Sequence, residues 1–135
     1  MIKILVIEDD ASVLDNLEDI LTLENFQVLT AKNGREGVDV ALRQLPDLIV
    51  CDVMMPEMDG YEVVKCLREE SATKMIPFIF LTAKAERLDY REGMESGADD
   101  YVTKPFRPQE LINAIEVRLA RHASLMQPYL DETQR

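Results

Sequence analysis

Acids, a hydroxyl and an amine stand at equivalent places along this chain, each just after a short apolar run. Glu8, Asp9 and Asp10 follow Ile2 to Ile7, Asp52 follows Leu48 to Cys51, Thr82 and Ala83 close the run from Pro77 to Leu81, and Lys104 follows Tyr101 to Thr103. Carboxylates a few ångströms apart repel one another and raise each other's pKa unless a cation neutralises them. An all-oxygen donor set of carboxylates, a backbone carbonyl and water suits Mg²⁺, which retains several waters and takes a phosphate oxygen readily. A carboxylate, Mg²⁺ and a lysine around one point form a set for phosphoryl transfer. Asp52 is the nucleophile for in-line attack on phosphorus, with Mg²⁺ and Lys104 offsetting charge on the equatorial oxygens. Thr82 and the backbone N–H groups of its loop, Ala83 among them, are placed to donate hydrogen bonds to the transferred group. The product is an acyl phosphate on Asp52.

The elements that position these residues are legible from periodicity. Five times a short β-branched apolar run precedes a segment with apolar residues at helical spacing, which is a βα repeat. After Ile2 to Ile7 comes a stripe of Val13, Leu14, Leu17, Ile20 and Leu21, with Asp10 or Ser12 as its N-cap. Gln27 to Ala31 leads through Asn33-Gly34 to Val38, Ala41, Leu42 and Leu45, and Pro46 ends that helix. Leu48 to Cys51 precedes the loop Asp52 to Gly60 and a helix presenting Val63, Cys66 and Leu67. Pro77 to Leu81 reads as a strand covered on both faces. Ala85 to Ser96 carries the poorest stripe, with only Leu88 and Met94 well placed, and is expected to dock least firmly. Pro108 opens a last helix with Leu111, Ile112, Ile115 and Leu119, expected to end near Pro128. Short connections between alternating strands and helices imply a parallel sheet with helices on both faces, a three-layer doubly wound α/β sandwich of the (βα)5 kind. In such sheets functional loops gather at the carboxyl ends of the strands, near the point where strand order reverses.

With these residues in place the sequence resembles the receiver domains of two-component response regulators, the family that includes the chemotaxis response regulator. The match runs through ILVIEDD at Ile4 to Asp10, DVMMPEMDG at Asp52 to Gly60, LTA at Leu81 to Ala83 and GADDYVTKPF at Gly97 to Phe106, and covers residues 2 to 121. The resemblance implies a flavodoxin-like five-stranded sheet of order 2-1-3-4-5, with Asp52 as phosphoacceptor. It implies Mg²⁺ bound directly by Asp9, Asp52 and the Met54 carbonyl, with Glu8 acting mainly through water. Many members carry Asp where this chain has Glu8. Lys104 contacts the phosphoryl group, Thr82 swings toward it, Tyr101 turns inward as Thr82 moves, and the Lys104-Pro105 bond is cis. The phosphoryl donor is a phosphohistidine on a sensor kinase or phosphotransfer protein, and the acyl phosphate then hydrolyses slowly without a separate enzyme. Met54 and Lys84 occupy the two positions that commonly tune its lifetime. The changed face, made of the fourth helix, fifth strand and fifth helix, is read by an output domain or partner protein. In the winged-helix subgroup that face pairs two copies through charges. Arg91, Asp99, Asp100 and Glu110 match that pattern, while Ala114 stands where a basic residue is expected, so monomer or weak dimer is the expectation.

Other readings meet specific obstacles. A haloacid-dehalogenase-type phosphatase needs a second acid two residues beyond its nucleophile, where this chain has Met54, and a flavodoxin-like cofactor protein needs a Ser-, Thr- and Gly-rich phosphate loop in place of Glu8 to Ser12. A phosphoacceptor is thus expected rather than a turnover enzyme, with an unphosphorylated interaction scaffold as the alternative. Asp59-Gly60 reads as a turn and helix start, and the methionines of the loop, Met54, Met55 and Met58, as packing or partner surface. His122 is read as a cation near the end of the last helix. Cys51 and Cys66 lie in apolar stretches with no CxxC spacing, which favours reduced, buried thiols and a cytoplasmic setting. The 135 residues, 47% hydrophobic, suit one domain, 1–124, followed by a tail or linker start at 125–135 that could lead to an output domain or into a hybrid kinase. A formal charge of −11 argues against direct contact with nucleic acid or anionic lipid, and no apolar run is long enough for a membrane span.

Overall fold

The computed structural model describes residues 1–83, 95 and 97–133, the side chains of 127–133 excepted. Five parallel strands, β1 (Lys3–Ile7), β2 (Gln27–Ala31), β3 (Leu48–Asp52), β4 (Phe78–Ala83) and β5 (Asp100–Lys104), lie in the order β2-β1-β3-β4-β5. The helices are α1 (Ala11–Leu23), α2 (Gly34–Gln44), α3 (Gly60–Glu69) and α4 (Pro108–Thr133). The expected fourth helix, with Leu88, Met94, Arg91 and the tuning position Lys84, lies outside the described residues.

β1, β3 and β4 are apolar without alternation because both their faces are covered. Leu5, Ile7, Ile49, Cys51, Phe78 and Phe80 point to the layer of α2 and α3, where they meet Ala41, Val63, Val64 and Leu67. Their neighbours Ile4, Val6, Leu48, Val50, Ile79 and Leu81 point the other way, to Leu14, Leu17 and Leu21 of α1 and Leu111, Ile112 and Ile115 of α4. Each fully buried Leu or Ile contributes about 1.5–3 kcal/mol, so the two cores fix which residues leave each strand at its carboxyl end.

Local signals set the helix starts. Asp10 caps α1, its Oδ1 accepting from the Ser12 and Val13 N–H groups at 3.0 and 3.2 Å, and Asn33 caps α2. Asp59 and Glu62 form a reciprocal capping box at α3, so Asp59-Gly60 is the helix start its sequence suggests. α2 stops at Leu45, which turns left-handed at φ 47° directly before Pro46.

Four expectations need correction. Leu42 and Leu45 are exposed rather than core, because α2 meets the sheet through the small residues Gly37 and Ala41, which bring its backbone close. Cys66 is only half-buried, since α3 turns Val63, Val64 and Leu67 inward, and both thiols are free. The last helix runs through Pro128 to Thr133, carried by the helix formers around that proline. His122 therefore sits well inside α4 rather than near its end, lining a groove with Ile2, Met75 and Met126.

Candidate functional site

β1 and β3 are neighbours in the sheet although β2 lies between them in the chain, so strand order reverses between them. Their register pairs Ile7 with Cys51, which sets Glu8 beside Asp52 as both strands end. The loop after β3 then doubles back: the Val53 N–H donates to the Leu81 carbonyl at 3.1 Å and the Gly60 N–H to the Val53 carbonyl at 2.9 Å. Gly60 is required here, because a Cβ on it would lie 2.5 Å from the Asp52 carbonyl and 3.0 Å from Val53 Cα.

The structure brings Glu8, Asp9 and Asp52 together, with one carboxylate oxygen from each within 4.8 Å of the others. Lys104 arrives from β5, its Nζ 3.3 Å from Asp52 Oδ1 and 3.6 Å from Glu8 Oε2. Asp9 is exposed, whereas Glu8 is 2% and Asp52 6% exposed. Glu8 Oε1 accepts from the Asp10 N–H at 3.4 Å, and its enclosed Oε2 has no hydrogen-bond partner among the described residues. Thr82 is buried at the end of β4, its hydroxyl 3.4 Å from the Ala83 carbonyl, and Tyr101 packs half-buried against the α2–α3 core. Met54 is 62% exposed beside the site while Met55 is buried under the loop. The Lys104-Pro105 bond is cis. Asp99 and Asp100, matched above to an intermolecular face, have partners within the chain: Arg68 and Arg118.

Three carboxylates share one nearby ammonium, and at Glu8 and Asp52 burial adds to the cost of the negative charge. Burial pushes the Glu8 carboxyl up to about 7, the Asp52 charge adds to this, and Lys104 opposes it. Burial likewise raises Asp52 against the pull of Lys104. Burial alone would lower the Lys104 ammonium, but the charges of Asp52 and Glu8 outweigh it and leave its pKa raised. Burial and neighbouring negative charge thus favour the protonated form of Glu8. Glu8 Oε2, which accepts no hydrogen bond among the described residues, and the all-oxygen donors fit a hard divalent cation.

Two features escaped sequence reasoning. Gly60 was legible as a turn residue, but its contact with the Asp52 carbonyl is a product of the loop's return. Nothing in local spacing joins Arg68, in α3, to Asp99, just before β5 and 31 residues away.

The family model for the response regulator receiver domain matches residues 4–116. The probable transcriptional regulator ycf27 of Porphyra purpurea is 48% identical over 119 residues, 88% of this chain and 48% of that protein. The alkaline phosphatase synthesis transcriptional regulatory protein PhoP of Bacillus subtilis is 44% identical over 126 residues, 93% of this chain and 51% of its own length. The chain therefore spans about half the length of these curated relatives, and the charge argument against nucleic acid extends only to the residues present here. Among solved structures, the receiver domain of a sensor histidine kinase from Pseudomonas aeruginosa, with a magnesium ion in its active-site cleft, superposes with a TM-score of 0.82 at 30% identity, covering 87% of this chain and 97% of that one. No helix among the described residues is long and apolar enough to cross a membrane. By fold, motif order and sequence identity alike, the chain belongs to the receiver domain family of two-component response regulators.

Proposed function

We propose that this receiver domain is a switch charged on Asp52, which takes a phosphoryl group from the phosphohistidine of a sensor kinase or phosphotransfer protein. The observation that carries the reading is the convergence of Asp52 with Glu8, Asp9 and the Lys104 ammonium at one sheet end. Glu8, Asp9, Asp52 and the Met54 carbonyl are the residues to hold Mg²⁺, Glu8 through water. Bound there, Mg²⁺ supplies charge neutralisation for the phosphoryl oxygens.

Asp52 attacks phosphorus in line with its carboxylate oxygen, forming the O–P bond as the donor's N–P bond breaks and its imidazole takes back a proton. Lys104 offsets charge gathering on an equatorial oxygen, and the Thr82 hydroxyl and Ala83 N–H donate to the others. Water later cleaves the acyl phosphate, with Met54 and Lys84 setting its lifetime, so the chain acts as a phosphoacceptor rather than a turnover enzyme. Thr82 and Tyr101 carry the change to the 85–96 segment, β5 and α4, where an output domain or partner protein reads it. A cytoplasmic monomer or weak dimer suits this role, either in a transcriptional regulator or, as in the Pseudomonas aeruginosa protein, in a sensor kinase.

Intact-mass analysis after incubation with acetyl phosphate, with and without Mg²⁺, tests acceptor and metal together. A single Mg²⁺-dependent phosphoryl adduct that disappears in Asp52→Asn is expected. If no adduct forms and beryllofluoride gives no response, the acceptor role is wrong and an unphosphorylated scaffold takes its place.

A further inference from the structure

Arg68, near the end of α3, is bound far more extensively than a helix-terminal arginine needs to be. Its Nε donates to the Gly97 carbonyl at 2.9 Å, its Nη1 to the carbonyls of Lys74 and Ile76 at 2.9 and 2.7 Å, and its Nη2 to Asp99 Oδ2 at 3.2 Å. The same Asp99 oxygen accepts from the Phe78 N–H at 2.7 Å, and the Asp99 N–H donates to the Phe78 carbonyl at 2.8 Å. One guanidinium thus ties α3 and the 73–76 turn to the residues just before β5 and, through Asp99, to Phe78, the first residue of β4. Gly97 makes room for it, adopting φ +109° where a Cβ would meet Arg68 Cγ at 3.0 Å.

The location matters because β5 is an edge strand with a weak register signal of its own. Among its five residues only Val102 is buried, so burial alone does little to forbid a slip. The observed register pairs Ile79 with Asp100 and, four residues on, Ala83 with Lys104. A slip of one residue would move Lys104 by about 3.3 Å and turn it to the opposite face of the sheet, away from Asp52. The planar fork of arginine satisfies several carbonyls and a carboxylate at once, which a lysine cannot do.

We propose that Arg68 is a positioning residue for the phosphoryl site: acting through Asp99 at the opposite end of the sheet, it locks the β4–β5 register that sets Lys104 beside Asp52. The inference rests on the acceptor reading above for its chemical consequence, though the register lock itself does not.

The test compares wild type, Arg68→Met, Arg68→Lys and a control, Leu21→Ala, which loosens the α1 core away from this network. Hydrogen exchange at the amides of residues 101–104 and the rate of phosphorylation by acetyl phosphate with Mg²⁺ are both measured where all variants are folded. In Arg68→Met, exchange of the 101–104 amides rises at least tenfold and the phosphorylation rate falls about tenfold, while Mg²⁺ affinity, set on β1 and β3, stays within twofold. Arg68→Lys, which keeps the charge but not the fork, lies between. Leu21→Ala leaves both local readouts at the wild-type level despite its lower melting temperature. If Arg68→Met exchanges no faster at 101–104 than Leu21→Ala, or is phosphorylated as fast, the assignment is overturned. A wild type that takes no phosphoryl group sinks the acceptor reading instead, and the exchange measurement then decides the register lock alone.

Discussion

The Glu8 carboxyl, pushed up to about 7 by burial and by Asp52, keeps a proton that an ordinary glutamate has lost well below neutrality. Between pH 4.5 and 7 the native state therefore binds a proton that the unfolded chain has released, so in metal-free protein this group's contribution to stability falls as pH rises. The full effect is on the order of 3 kcal/mol, shared with Asp52. Urea unfolding at pH 5 and pH 8 checks it: wild type should lose more stability across the interval than Glu8→Gln, and equal losses would refute it. Magnesium adds a second readout, because the cation competes with that proton. Its affinity should climb with pH through about 7 with proton release, seen by calorimetry in buffers of different ionisation enthalpy.

At the scale of elements, close approaches set the tolerances. Gly60→Ala drives a methyl against the Asp52 carbonyl at 2.5 Å, backbone against backbone, whereas Gly37→Ala meets the movable end of Ile7 at 2.4 Å. Gly60→Ala should cost about 1–3 kcal/mol and slow phosphorylation by displacing Asp52, while Gly37→Ala loses stability alone. Melting curves beside acetyl phosphate kinetics separate the two. Leu45, exposed and left-handed at the end of α2, behaves oppositely: Leu45→Gly should gain about 0.5–1 kcal/mol in urea unfolding, since glycine adopts that turn without strain. These positions also show where the sequence was readable. The apolar runs of β1, β3 and β4 announced buried parallel strands, and the acids and lysine after them announced the site, because strand ends and turn residues are local signals. Leu42 and Leu45 misled because a helical stripe does not reveal how closely small residues let the helix approach the sheet. The reach of α4 past Pro128 depends on the neighbours that sustain a helix, and Arg68 became significant only when folding brought β4 and β5 to it.

The whole molecule is polarised. Glu8, Asp9 and Asp52 converge at one end of the sheet, whereas Met1, Ile2, Leu23, Leu45 and Met75 expose apolar surface around the other. A formal charge of −11 makes self-repulsion a general cost. Raising NaCl from low to physiological ionic strength should lift the melting temperature of metal-free protein by about 2–5 °C, and a flat response would show that local pairs already balance the field. Lys104 and Asp52 touch across 52 positions of chain. A domain made from its N-terminus at about 5–20 residues per second exposes β1 and β3, with their carboxylates, several seconds before β5 leaves the ribosome. The acids are therefore made before their lysine, and on the proposed reading a chain still being translated lacks the charge that makes Asp52 competent. The switch cannot be thrown until the last strand of the sheet and its lysine have been made.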